Sequence, residues 1–528
     1  MATHAVIAAF RRLHTNDARR EAVDALLAEL TTHERRALHT AAALCFHCDL
    51  VARLPLELVA HVFAQLDPST PFRLQRVSRP WQRVLRSPHV LRNSLLSAGA
   101  PDLPAADYAV LQRHAKHLHA FRHAKPNHCL AIALHTQRPA SPVLVRDTLV
   151  WSARTAANHD DSRVLYLFDI STCTLHTLHG EARETIQHVV ASERIVAFTS
   201  SNSTLCYVAD LQARNRKKFR VSSPALFQAL ACRESSVACA GLLQDHALVY
   251  IWNYDTQQGT SFRIDFGTHL LPYPRHGHQH RLALLLQPQH ERILVFTDQP
   301  SPSLPSGGKH MRTIIYSQYT YTGDCIFSSQ MALDHVDHLS YSTFQTPNNT
   351  FFPVDSQGKF RVMIGSRHLH TAACWLQFDE RPNMFTEPRP STHPGQMYTS
   401  SHLSWWNDTF FSSEILPHDD ASSSDQSDQA RVSVLTQLGT IHGSEDKPLL
   451  LFRHGPCVAL DATVDPFAIV ANDKYVVRTL TNSFHILCYQ TSPDWPSLSG
   501  NPDSAKHGRF FDMGVVSIVD SPHMPHLI

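Results

Sequence analysis

Phe168-Asp169, Ala209-Asp210 and Trp252-Asn253 each close a short β-branched and aromatic run, and a turn and a further such run follow each pair. The second residues of the pairs recur at steps of 41 and 43 positions. A step of about 40–45 residues is that of a four-stranded propeller blade carrying a WD-like dipeptide. One blade has two apolar faces and can bury neither alone, so blades stack around a common axis. The period therefore predicts an all-β propeller in this part of the chain.

From about residue 140 onward the texture is consistent with that reading. Runs such as "SPVLVRDTLVW", "RIVAFTS" and "SSVACAGLL" alternate with polar turns. Four later runs continue the series less regularly: "RTIIYSQYTYTG", "CWLQFDE" with Phe378-Asp379, "ARVSVLTQLG" and "NSFHILCYQ". Polar stretches at 299–310 and 417–430 have the composition of loops or disordered insertions and account for the wider steps. The count over 140–528 is seven blades, with six as the alternative. Glycine, only 18 of 528 residues, leaves few places where backbone can wrap a phosphate. No GxGxxG or Walker-type loop occurs, and "SGGKH" (306–310) lacks the spacing, which disfavours nucleotide enzymes.

A chain of 528 residues exceeds the roughly 250–300 at which single cores stop growing, so more than one domain is expected. Residues 16–125 read as helical. In "DARREAVDALLAEL" Ala22, Val23, Leu26, Leu27 and Leu30 share one helical face, and Thr31 with Glu34 has the spacing of a capping box. Residues 1–50 are taken as a helical segment, 51–95 as a compact helical module and 96–139 as a helical linker. The first twenty residues lack acids before Asp17 and faintly resemble a transit peptide, but a helical start explains them more simply.

In the module, "RLPLELVAHVFAQLDP" places Pro55 in a first helical turn, where its missing N–H has no partner to lose. Leu58, Val62, Phe63 and Leu66 then form an apolar stripe. Thr70 is placed to cap a second helix with Pro71 at its first position, and Trp81 and Leu85 follow before a stop at "SPHV". About 40 residues make a poor independent core, so such a unit seeks a partner surface. Seven arginines stand against Glu57 and Asp67 in residues 51–92, a local charge of +5 that could steer an acidic partner.

The stretch 54–90 resembles an F-box. Leu54, Pro55, Glu57, Leu58, Val62, Phe63, Leu66, Val77, Ser78, Arg79 and Trp81 match that family's pattern, which begins Leu-Pro-x-Glu-Leu and continues to Val-Ser/Cys-Arg-x-Trp. Two departures stand out: Leu91 occupies the region where the family often has a tryptophan, and Pro80 directly precedes Trp81. With its helical flanks and β-rich remainder, the whole chain resembles fungal F-box proteins with a C-terminal WD-repeat-like propeller.

The resemblance implies a non-catalytic adaptor. Its F-box would dock on the Skp-type linker subunit, and through it on a cullin, in an SCF-type ubiquitin ligase. Leu54, Pro55, Leu58, Val62, Phe63, Leu66, Val77, Trp81 and Leu85 would form the partner-binding set, and the propeller would hold a protein substrate. The alternatives are an F-box protein in a Skp-type complex outside any ligase, or a propeller enzyme whose N-terminal helices only dock it. The stripe packing only against the chain's own helices is a further possibility.

Other chemistry has weaker claims. Eleven scattered cysteines argue against a disulfide framework and fit a cytoplasmic or nuclear protein. No apolar run approaches a bilayer span, and a net charge of +1 asks for neither membrane nor nucleic acid. "CFHC" (45–48) lacks the second pair a zinc site needs, and the triplet His276, His278, His280 is what a chain with 37 histidines produces by composition. No metal, cofactor or catalytic residue is expected. "RNRKKFR" (214–220) could bind an acidic or phosphorylated motif, but a solvated turn is the simpler reading. Phosphorylation of the acidic serine loop 419–428 could gate one end of the propeller.

Overall fold

The computed structural model describes residues 2–46, 50–97, 106–122, 126–134, 137–155, 163–181, 184–200, 205–221, 227–242, 246–265, 281–300 and 312–333. Beyond these it describes 341–343, 352–353, 359–366, 374–380, 382–385, 389–390, 403–406, 409–416, 431–441, 449–454, 468–479, 483–490, 509–511 and 514–519. The insertions 301–310 and 417–430, His47 and Cys48 of "CFHC", and the 276–280 histidines lie outside the described residues. Two compact units are present, 1–112 and 113–528.

The first unit is helical. Its elements are α1 (Ala2–Arg11), α2 (Asn16–Glu29), α3 (Thr32–Phe46), α4 (Leu50–Arg53), α5 (Leu56–Ala64), α6 (Thr70–Leu74), α7 (Arg79–Leu85), α8 (Pro88–Ser97) and the start of α9 (Tyr108–Arg122). The predicted capping box opens α3. The Glu34 carboxylate accepts from the Thr31 amide (2.8 Å) and hydroxyl (2.7 Å), and the Thr31 hydroxyl accepts from the Glu34 amide (3.3 Å). These bonds to Thr31 hold the Glu34 carboxyl below its ordinary range.

In the second unit the described strands form seven antiparallel sheets, I to VII in the chain order of their first strands after residue 136. Sheets I to IV occupy 137–179, 186–220, 227–265 and 281–333, and V and VI occupy 341–390 and 403–454. Every repeat candidate named from the sequence is a third strand: Val164–Asp169, Leu205–Asp210, His246–Asn253, Arg312–Thr320, Cys374–Asp379, Arg431–Ile441 and Ser483–Cys488. The reason for the recurring Asp or Asn is visible at the turn that follows. Asp169 Oδ1 accepts from the Ser171 and Thr172 amides, Asp210 from those of Gln212, Arg214 and Asn215, and Asn253 Oδ1 from those of Asp255 and Thr256. A second device recurs beside it. The amide just past the third strand donates to a carbonyl in the turn between the first two strands, as Ile170 to Asp147 (2.7 Å), Tyr254 to Ser235 (2.8 Å), Tyr321 to Glu291 and Tyr489 to Lys474 (3.0 Å each).

Neighbouring sheets share their cores, as the stacking argument requires. Val150 and Leu167 of sheet I pack with Val196 and Phe198 of II, and Ala197 and Cys206 of II pack with Cys239 and Trp252 of III. Val249 and Phe262 of III meet Leu282 and Ile293 of IV, and Phe296 and Tyr316 of IV meet Phe378 and Phe385 of V. Sheet VII joins sheet I in the same manner: Trp151, Tyr166 and Phe168 pack with Tyr475, Val477, Phe484 and Ile486. The turns repeat the relation. Ser192 Oγ donates to the Glu234 carbonyl of the next sheet (2.6 Å), and Asn472 Nδ2 donates to the Arg146 carbonyl (2.6 Å). Lys474 adds an ion pair to both carboxylate oxygens of Asp147 (2.9 Å each).

One boundary is corrected. Residues 96–139 were expected to be a helical linker, but α9 is followed by a strand, His128–Ala133, that pairs antiparallel with the third strand of sheet VII, Ser483–Cys488. Leu130 and Ile132 are buried in the core shared with sheet I. A further hairpin, Arg509–Phe511 and Gly514–Val519, pairs on the free edge of His128–Ala133, giving the sheet six strands. The β-region thus begins at 128, before the predicted 140.

A pH response follows from burial in sheet VII. Desolvation, with Arg478 nearby, pushes His485 down to about 4, and burial also lowers His188. His485 is neutral in the fold down to about 4 yet protonates near 6.5 once unfolded, so its contribution to stability is full above 6.5 and falls as pH drops from there toward 4; the lowered His188, in sheet II, acts in the same direction. Thermal unfolding between those limits is expected to show a declining midpoint, with a shallower decline in His485→Gln. An equally steep decline in that variant would remove His485 as a source.

Candidate functional site

The stripe read from the sequence divides when the helices assemble. On α5, Val59, Ala60 and Phe63 turn inward and meet Leu85 and Val90, with Val51, Leu74, Trp81 and Val84 packed around them. Phe63 is 2% exposed and its ring meets Trp81 edge-on at 6.5 Å. Leu58 and Val62 on α5 stay outside, 51% and 46% exposed, and Leu54 and Leu66, which flank the helix, are exposed as well. The spacing of four residues keeps Leu58 and Val62 in line on α5, whereas Phe63 lies a further 100° around the helix; Leu54 and Leu66 stand just before and just after α5, outside its helical turns. Val77, in the turn before α7, is 59% exposed.

Five details of the sequence reading change. Phe63 and Leu85, assigned to the contact surface, are interior residues that hold the unit together. Trp81 is half-buried, with its ring against Phe63. Pro55 stands one position before the first turn of α5, as its N-cap, and its carbonyl accepts from the Leu58 and Val59 amides (3.1 Å each). Thr70 is the first residue of α6, capped by Ser69, and Asp67 Oδ1 accepts from the Ser69 amide (2.8 Å) and hydroxyl (2.6 Å) to shape that turn. Pro80 sits early in α7, where Ser78 is the N-cap and its hydroxyl accepts from the Trp81 amide (3.3 Å). The proline therefore starts α7 without interrupting a helix.

A surface with an apolar row on one side and a private core on the other suits docking, since the row can be covered without unfolding the unit. Residues 51–97 match the F-box-like family model. The F-box-like segment therefore runs from α4 to the end of α8, two residues past the predicted 95, and α8 contributes Val90, Leu91 and Leu95 to its interior. The sequence reading missed Leu56, exposed beside Pro55, and Val59 and Ala60, the residues whose burial shows which face of α5 is inward.

The basic run 214–220 is largely engaged. It includes the fourth strand of sheet II, Arg216–Arg220, and reaches both neighbouring sheets. Lys217 Nζ donates to the Tyr254 carbonyl (2.8 Å) and lies over its ring, Arg216 bonds the His179 carbonyl, and Lys218 pairs with Glu181. These contacts tie the outer edges of sheets I, II and III together and leave the run little free charge for a ligand. Burial pushes the thiols of Cys206, Cys232 and Cys239 well up, which suppresses their nucleophilicity. Among the described residues no group of three His, Cys, Asp or Glu is placed to hold a metal, and no helix is long and apolar enough to cross a membrane.

Solved structures, two of them propellers, are similar to this chain at low identity. The Dos1 propeller shares 9% identity with a TM-score of 0.39, covering 69% of this chain and 94% of that one. The Cps50 (Swd1) β-propeller domain of Myceliophteria thermophila gives 12% and 0.38, with 67% and 98% covered. YCF48 from Cyanidioschyzon merolae gives 7% and 0.41, with 69% and 100% covered. No curated protein sequence matches the chain.

Proposed function

We infer that the chain is a non-catalytic substrate receptor of an SCF-type ubiquitin ligase, working in the cytoplasm or nucleus. The F-box-like segment docks on the Skp-type linker subunit, and through it on the cullin. The β-region forms a closed seven-bladed ring that presents a protein substrate. The observation that carries this reading is the outward row Leu54, Leu58, Val62 and Leu66 on a segment whose own core is already filled by Phe63, Leu85 and Val90. Ring closure is supported by sheet VII meeting sheet I through a shared core and through the Asn472 and Lys474 bonds.

The test is co-purification of the full chain with the Skp-type subunit and cullin, beside Leu54→Ala/Pro55→Ala and Leu58→Asp/Val62→Asp. Capture of both partners is expected, with a loss of at least 100-fold in the aspartate variant. Anchors of this kind are worth about 2 kcal/mol or more each, and buried charges add to that. Capture of the Skp-type subunit without cullin would place the protein in a complex outside the ligase. No capture by the unmutated chain would overturn the reading.

A further inference from the structure

Between Asp67 and Asp102 the sequence contains no acidic residue but six arginines. Arg73 lies on α6, Arg76 in the turn that follows, and Arg79 and Arg83 one turn apart on α7; all four are exposed, and no ion pair reaches them among the described residues. Arg86 is different, because its guanidinium lies over the Tyr108 ring at 4.7 Å. The arrangement works against the local structure. Arg79 is the first residue of α7, where the helix dipole favours an acid, and Arg79 with Arg83 is a like-charge pair at i, i+4. Each costs a few tenths of a kcal/mol, and no ion pair among the described residues offsets it.

We propose that Arg73, Arg76, Arg79 and Arg83 form an electrostatic docking face for an acidic protein surface, continuous with the apolar row. This rests on the F-box-like segment binding the Skp-type subunit, and assigns to that partner an acidic patch opposite α6 and α7. A protein fits better than a polyanion for two reasons. Val77, 59% exposed, stands between Arg76 and Arg79 in the chain, and exposed Leu54 directly follows Arg53, so exposed apolar residues adjoin the charged ones in sequence. The chain as a whole carries only +1, so outside this stretch with its six arginines the residues sum to −5. The arginines act chiefly on encounter, and the apolar row on residence, because long-range attraction accelerates association while buried contacts set dissociation.

The experiment measures association and dissociation rates of the full chain with purified Skp-type subunit at about 0.03 M and about 0.3 M salt, where the Debye length shrinks from roughly 18 Å to about 6 Å. The unmutated chain is expected to associate about tenfold faster at the lower salt. Arg76→Gln/Arg79→Gln/Arg83→Gln is expected to lose most of that advantage with dissociation unchanged within about twofold. The triple lysine variant, which keeps charge but not guanidinium geometry, retains the fast rate, and Leu58→Ala/Val62→Ala changes dissociation instead. Binding by the glutamine variant with the original rate and salt slope would overturn the docking face while leaving the F-box reading intact. Loss of binding to homopolymer RNA or anionic vesicles in that variant, with association to the Skp-type subunit unaffected, would show a polyanion face and also overturn it. No binding by the unmutated chain at either salt would overturn the functional reading, and this inference with it.

Discussion

Phe63→Ala is expected to unfold the F-box-like segment, while Leu58→Ala on the same helix leaves it folded. Phe63 is buried among Val59, Leu85 and Val90 and lies edge-on to Trp81. Truncating such a ring costs about 3–5 kcal/mol, and the aromatic pair adds roughly 0.5–1.5 kcal/mol. A small helical domain has only about 5–15 kcal/mol in total. Leu58 is half outside already, and exposed changes of this kind stay within about 0.5 kcal/mol. Amide hydrogen exchange in the full chain reads both outcomes on α5 to α8. Native protection in Phe63→Ala would show that the ring is not the centre of this core. Lost protection in Leu58→Ala would show that the outward row is structural, and would remove the surface on which the functional proposal stands.

The second large effect concerns the strand His128–Ala133. A β-region beginning at 126 is expected to fold, and one beginning at 136 is expected to fail or aggregate. The shorter piece loses Leu130, Ile132 and Leu134, all buried, at about 1.5–3 kcal/mol each. It also uncovers two ladders at once, because His128–Ala133 pairs with Ser483–Cys488 on one side and with Gly514–Val519 on the other. Exposed edges of this kind invite pairing with other chains. Leu130→Ala in the full chain gives a milder version, with a melting point lowered by a loss of about 2–5 kcal/mol. A shorter piece as soluble and as stable as the longer one would show that the strand is peripheral to the fold.

These two cases mark what the sequence disclosed and what it withheld. The third strands of sheets I to III were legible because each ends where a turn needs a side-chain acceptor, and Asp169, Asp210 and Asn253 supply it locally. His128–Ala133 was not legible because its defining partners lie 350 or more residues away, and a short apolar run after a helix carries no turn signal of its own. On α5 the apolar pattern identified the helix and its importance. It could not separate Val62 from Phe63, since adjacent apolar residues both fit a broad stripe until α7 and α8 show which side is inward.

The composite make-up of sheet VII also sets a clock on synthesis. At roughly 5–20 residues per second, about 20–70 s separate the emergence of Ala133 from that of Ser483, its partner in the ladder. Throughout that interval the helices preceding residue 98 are already complete, while the strand after them waits with both edges open. A nascent chain can therefore display its exposed apolar row well before its sheets have joined. Anything that binds the row in that window would meet a β-region whose first strand is still unpaired.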